Sequence, residues 1–209
     1  MCGRFALVTD LTKISEKFDV GNTLSGFKAD WNISPGQHIP AVLHRDGQNI
    51  LESFLWGLIP SWAKDPSIGN KLINARAETI SEKPSFRTAF KKRRCLIVAD
   101  GFYEWKTEGR KKTPLYFYLK SGEPFGLAGL YETWMSPEKK QINTCTIITT
   151  EPNELISPIH DRMPVIVPKE QERTWLSDQI EDKTILLPIL KPYPADQMDY
   201  KIGMGPKFS

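Results

Sequence analysis

Cys95-Leu96-Ile97-Val98-Ala99-Asp100-Gly101-Phe102-Tyr103-Glu104-Trp105-Lys106 carries the pattern of two strands joined by a turn. Five apolar residues run without interruption, Asp100-Gly101 makes a tight turn, and an aromatic-rich run follows. This predicts strands over 95–99 and 102–106 with almost no connection between them. Working outward, apolar and aromatic runs bounded by turn residues predict further strands over 39–43, 51–59, 115–119, 125–130 and 143–149. Helical patterns are fewer. One covers 11–18 with Thr9 or Asp10 as N-cap, one covers 85–92 after Pro84, and one covers 169–176 after Pro168. Strands outnumber helices and do not alternate with them, so the expected class is α+β: a mostly antiparallel open β-barrel or sheet core with a few flanking helices. No linker splits the chain. A single domain is expected over 1–192, followed by a loose tail over 193–209, because the residues from 191 onward hold three prolines and two glycines.

Composition narrows the function classes. With 40% hydrophobic and 25% charged residues in 209, the chain is a folded protein and not a disordered tail. No run reaches the roughly 20 apolar residues that cross a bilayer, and the apolar run at the N-terminus is too short for a signal peptide. Cys2, Cys95 and Cys145 are too few and too scattered for a disulfide framework, so cytoplasmic residence is expected. The three histidines and three cysteines have no metal-ligand spacing, and no metal or cofactor is expected. The net charge of +3 permits an anionic partner without demanding one. Without a heptad pattern or a long amphipathic helix, a monomer is expected.

Cys2 is the most informative single position. If Met1 is removed, one residue offers an α-amine and a thiol, with ordinary pKa values of about 7.7–8.0 and about 8.5. Such a 1,2-aminothiol can attack an aldehyde with nitrogen and close with sulfur to a five-membered thiazolidine, which no internal cysteine can form. The plainer reading is an ordinary residue of a first strand. In Asn74-Ala75-Arg76-Ala77-Glu78 the three polar side chains share one face of an extended segment, where an amide, a guanidinium and a carboxylate can bind phosphate and orient a substrate; a solvated strand face is the alternative. Glu104 lies between aromatics, a setting that raises a carboxyl pKa and suits general acid–base work. In Ser157-Pro158-Ile159-His160-Asp161-Arg162-Met163-Pro164, two prolines and a charged trio suggest a held loop. There His160 can shuttle a proton, and Arg162 can order the loop or meet a phosphate. His38 and His44 read as structural or exposed. Trp56 reads as core and Trp62 as a loop wedge whose ring can stack on a base. Lys91-Lys92-Arg93-Arg94 and Arg110-Lys111-Lys112 are basic clusters, a weak nucleic-acid signal in isolation.

Together and in this order, six blocks resemble the SRAP (SOS-response-associated peptidase) family: Met1-Cys2-Gly3-Arg4-Phe5, Trp31-Asn32-Ile33-Ser34-Pro35, Trp56-Gly57-Leu58-Ile59-Pro60, Asn74-Ala75-Arg76-Ala77-Glu78, Ala99-Asp100-Gly101-Phe102-Tyr103-Glu104-Trp105 and His160-Asp161-Arg162-Met163-Pro164. Departures are small: Val98 stands where proline is common, Trp31 stands where tyrosine is common, and the chain after Tyr193 matches poorly. The resemblance implies an open β-barrel with a positively charged DNA channel. It also implies a sensor of abasic sites in single-stranded DNA that captures the ring-opened sugar aldehyde covalently through the N-terminal cysteine. On that basis Cys2, Asn74, Glu104 and His160 are the expected catalytic residues. Arg4, Arg76 and Arg162 are expected at phosphates, and Trp62 and Trp105 at bases or a duplex junction. Removal of Met1 by the protein itself and a weak lyase activity belong to the same expectation. Two other readings compete: a cysteine peptidase using Cys2 and His160, and a non-covalent single-stranded DNA-binding module.

Overall fold

The computed structural model describes residues 2–205; the expected removal of Met1 and the last four positions of the expected tail lie outside the described residues. The chain forms the α+β fold anticipated from its patterning, and its strands arrange into two systems. The first is a five-stranded antiparallel sheet. It is built from β1 (Phe5–Leu7), β2 (Asp30–Ile33), β7 (Gly101–Glu108), β8 (Lys111–Leu119) and β12 (Met198–Ile202), in the order β12-β8-β7-β1-β2.

The second system uses β3 (His38–Arg45), β4 (Gln48–Trp56), β6 (Arg94–Ala99), β9 (Phe125–Met135) and β10 (Gln141–Thr150). The pairings β10–β4, β4–β3, β3–β6, β6–β9 and β9–β10 close a ring, which removes its free edges. Within the ring only β4 and β10 run parallel, meeting at Thr144–Leu55 and Cys145–Trp56. Two short strands, β5 (Asn74–Arg76) and β11 (Met163–Pro164), dock on the far end of β10. β10 thereby carries the strand bearing Asn74 and the strand that follows His160, although the first ends at Arg76 and the second starts at Met163.

Local chemistry explains the main elements. α1 (Leu11–Phe18) starts at Asp10, whose carboxylate accepts the Lys13 N–H at 3.1 Å, and it buries Ile14 and Phe18. Every residue of β6 is buried, as its unbroken apolar run demands. The strand expected over 51–59 stops at Trp56, because Gly57 takes a φ of +137° and a Cβ there would sit 2.9 Å from the Gly69 carbonyl oxygen. At Gly101 a Cβ would lie 2.4 Å from the Tyr116 ring, so the tight turn into β7 needs a residue without a side chain. Asp100 beside it accepts the Val8 and Thr9 N–H groups at 2.5 and 2.9 Å and the Thr9 hydroxyl at 2.6 Å. That carboxylate ties the end of β1 to the β6–β7 turn.

Two expectations need correction, and the contacts of one basic cluster explain its weak nucleic-acid signal. The helix expected over 85–92 is α2 (Arg87–Lys92), and the one expected over 169–176 is a 3-10 turn leading into α3 (Glu172–Leu176); a further short helix, α4, spans Lys183–Leu186. The expected loose tail contains β12, paired with β8 from Met198–Leu119 to Ile202–Leu115. Met198 is buried and the Tyr200 ring packs on Phe117 at 5.7 Å, so β12 satisfies the outer edge of β8 that would otherwise stand unpaired. The basic cluster 91–94 is largely structural. Buried Arg94 donates to the carbonyls of Trp175 at 2.7 Å, Phe90 at 2.7 Å, Lys91 at 2.5 Å, Ile180 at 2.9 Å and also Ser177. Arg93 pairs with Glu132, and Lys92 pairs with Glu181 at 2.5 Å. Among the described residues no helix is long and apolar enough to cross a membrane.

Candidate functional site

The first strand begins only at Phe5, yet Cys2 is already fully buried against the core. The Asn74 side chain, presented by β5, donates its Nδ2–H to the Cys2 carbonyl at 2.8 Å. Glu104, on β7, lies close enough for its charge to act on the Cys2 thiol. Burial pushes that thiol well up from its ordinary value, and the Glu104 charge adds to the effect, so the sulfur is held as S–H.

Glu104 is itself 3% exposed, and burial pushes its carboxyl up to about 7, with the Asp161 charge reinforcing the shift. A carboxyl at that value exchanges its proton at neutral pH, which suits general acid–base work. His160 Nε2 stands 3.9 Å from Glu104 Oε2. Burial lowers the His160 pKa, which favours the neutral ring near neutral pH. Its Nδ1 accepts the Arg162 backbone N–H at 3.0 Å, a bond that assigns the proton to Nε2, on the Glu104 side. Asp161 Oδ1 lies 2.9 Å from the same Nδ1 and is the partner suited to the protonated ring. The two Nδ1 contacts therefore belong to two protonation states. Cys2, Asn74, Glu104 and His160 thus form one connected group.

The remaining expected residues are placed differently. Arg4 Nη1 donates to Asn32 Oδ1 at 2.9 Å on the surface beside Cys2. Arg76 is exposed at the end of β5. The extended segment expected over 74–78 ends there, because residues 77–79 wind into a 3-10 turn. Glu78 consequently leaves the face shared by Asn74 and Arg76 and meets Arg162 instead, at 2.6 and 2.9 Å. Arg162 Nη2 also donates to the Thr149 carbonyl at 2.6 Å. Of the two roles the sequence allows for Arg162, this geometry matches the loop-ordering one. Trp105 is half-buried and lines a cleft of about 440 Å³ with Glu104, Thr107, Lys112 and His160. Trp62 is 60% exposed on a separate loop, which is held by the Trp134 Nε1–H donating to the Ala63 carbonyl at 2.7 Å. Trp56 is core, as expected, and its Nε1–H reaches the Ile73 carbonyl at 2.9 Å. Of the two other cleft residues, Thr107 belongs to no motif and Lys112 stood out only as part of the basic cluster 110–112. They are a register pair across the β7–β8 hairpin, and only that pairing places them beside Glu104.

The sequence profile of the family described as SOS response associated peptidase (SRAP) matches residues 1–202. Abasic site processing protein YoqW of Bacillus subtilis is 48% identical over 202 residues, covering 95% of this chain and 90% of that protein. Abasic site processing protein YedK of Escherichia coli is 31% identical over 153 residues, covering 73% and 67%. A crystal structure of a protein from Bacteroides thetaiotaomicron superposes with a TM-score of 0.90 at 30% identity, covering 96% of this chain and 91% of that one. The chain belongs to the SOS response associated peptidase (SRAP) family.

Proposed function

We propose that this protein processes abasic sites in single-stranded DNA by capturing the ring-opened sugar aldehyde covalently through Cys2. The observation that carries the reading is the junction of four residues from four distant segments: Asn74 bonded to the Cys2 backbone, Glu104 acting electrostatically on the Cys2 thiol, and His160 facing Glu104. The names of the relatives, abasic site processing proteins, support the choice of substrate.

The chemistry follows from the groups present. Removal of Met1 exposes the Cys2 amine. The amine nitrogen bonds to the aldehyde carbon, the oxygen is protonated and leaves as water, and an imine results. The sulfur then adds to the same carbon while its proton passes to nitrogen, closing a thiazolidine without any change of oxidation state. Glu104, with its carboxyl near 7, gives and takes the protons these steps require, and His160 helps to open the sugar. Asn74 holds the Cys2 carbonyl. Its buried Oδ1, without a partner among the described residues, is left as an acceptor for the incoming sugar. Arg4 and Arg76 take flanking phosphates, and Trp105 and Trp62 take bases. The imine also permits β-elimination, so a weak lyase activity accompanies capture, limited by thiazolidine closure. A peptidase needs a ready thiolate, and a thiol pushed up by burial is a poor source of one.

Intact mass spectrometry of the protein before and after incubation with an abasic single-stranded oligonucleotide tests this. The expected result is loss of the Met1 mass and then an adduct lighter by one water than protein plus DNA. A protein that keeps Met1 and forms no adduct overturns it.

A further inference from the structure

The β7–β8 hairpin extends beyond the sheet that carries it. β1 pairs with β7 only at Phe102 and Gly101, and β12 covers β8 only from Leu115 to Leu119. Beyond these, the ladder from Lys106–Thr113 to Glu108–Lys111 is, among the described residues, paired only with itself. It turns at Gly109, whose φ is +60°. Every residue from 106 to 112 is exposed.

This arm carries Lys106, Arg110, Lys111 and Lys112 against one carboxylate, Glu108, which pairs with Lys106 at 2.8 Å. Its excess of three positive charges equals the net charge of the whole chain, +3. The rest of the molecule is balanced, and the surplus sits on one projection. That projection also forms a wall of the reactive cleft, since Thr107 and Lys112, opposite each other in register, line it with Glu104, Trp105 and His160. A compact ammonium and a hydroxyl beside an aromatic ring suit a phosphate and the base next to it.

We propose that the hairpin over 106–112 is an arm that grips the sugar–phosphate backbone of the single strand on one side of the lesion. Lys112 takes the phosphate nearest the reacting sugar, and Arg110 and Lys111 take those that follow. The inference rests on the reading of the cleft as the capture site. It adds the direction in which the strand leaves that cleft and a set of contacts outside the reactive group.

The test compares the full chain with Arg110→Gln/Lys111→Gln/Lys112→Gln and with a control of equal charge loss, Lys139→Gln/Lys140→Gln/Lys183→Gln, whose positions are exposed and outside the site. Binding to an abasic single-stranded oligonucleotide is titrated at several salt concentrations. Each phosphate contact contributes roughly 0.7 to the log–log salt slope on a single strand, so the arm variant should lose about 2 from the slope while the control keeps it. An arm variant with the parental slope, or a control that loses as much as the arm variant, overturns the proposal. Adduct formation by the parent protein is scored separately: without an adduct the capture reading fails, and a slope lost only in the arm variant still establishes the arm.

Discussion

Arg162 grips Glu78 with both ends of its guanidinium, Nη1 to Oε1 at 2.6 Å and Nη2 to Oε2 at 2.9 Å. The planar fork matches a carboxylate in this way and an ammonium would not. Because Arg162 Nη2 also reaches the Thr149 carbonyl, and the Arg162 backbone N–H reaches His160 Nδ1, the clamp holds the loop that aims His160 at Glu104.

Glu78→Ala should therefore slow adduct formation by about tenfold or more, since small misplacements of a reacting group cost that much, while affinity for an intact strand changes little. The Arg162 hydrogen bonds hold the Glu78 carboxyl below its ordinary value. Its contribution is present above the ordinary carboxylate range and is lost as pH falls through the depressed value. The clamp therefore persists from pH 8 down to pH 5, so the ratio of the parent capture rate to that of Glu78→Ala should stay constant over this range. An unchanged rate in the variant would sink the clamp.

Glu104 carries the opposite sign. Its folded value, about 7, lies above that of a free carboxyl. The folded state binds the extra proton between the two values, so stability falls as pH rises through that window. Glu104→Gln removes this effect and should gain up to about 3 kcal/mol on the parent between pH 5 and pH 8. Urea unfolding at the two pH values checks it. Parallel curves for parent and variant would mean that the carboxyl is not raised.

Cys2→Ser keeps the amine and removes the sulfur. It should leave an imine that borohydride traps and no heat-stable adduct. If borohydride traps nothing, the amine is not the first nucleophile and the order of steps is wrong.

Arg94→Leu strips hydrogen bonds from five carbonyl groups on two helix ends and the chain that follows α3. Each carbonyl left buried without a donor costs about 1–3 kcal/mol. Thermal unfolding should report that loss, and affinity for single-stranded DNA at a temperature where the variant is folded should be unaltered. A variant as stable as the parent but weaker on DNA would return Arg94 to the nucleic-acid surface.

Much of the fold and of the reactive group could be read from the residues alone, because their causes are local. An Asp10 cap followed by apolar residues at helical spacing makes α1. An unbroken apolar run makes β6, and Asp100-Gly101 turns it into β7. Cys2, Asn74, Glu104 and His160 announce their chemistry by residue type and motif. What stayed hidden depended on partners far along the chain. Nothing near residue 198 reveals that the edge of β8 awaits a strand. The run 91–94 does not say that Arg94 turns inward while Lys91 stays in solvent. Arg162 is a phosphate ligand or a loop anchor until the turn over residues 77–79 swings Glu78 to it. The raised Glu104 carboxyl is foreshadowed by its aromatic neighbours, but the suppressed Cys2 thiol exists only once the strands have excluded water around it. Sequence by itself determined which residues can form strands, turns and nucleophiles, because those properties arise from a residue and its nearest neighbours. Tertiary structure alone decided which charges are buried, paired or left outward, because desolvation and Coulomb interactions depend on distances that only long-range strand pairing sets.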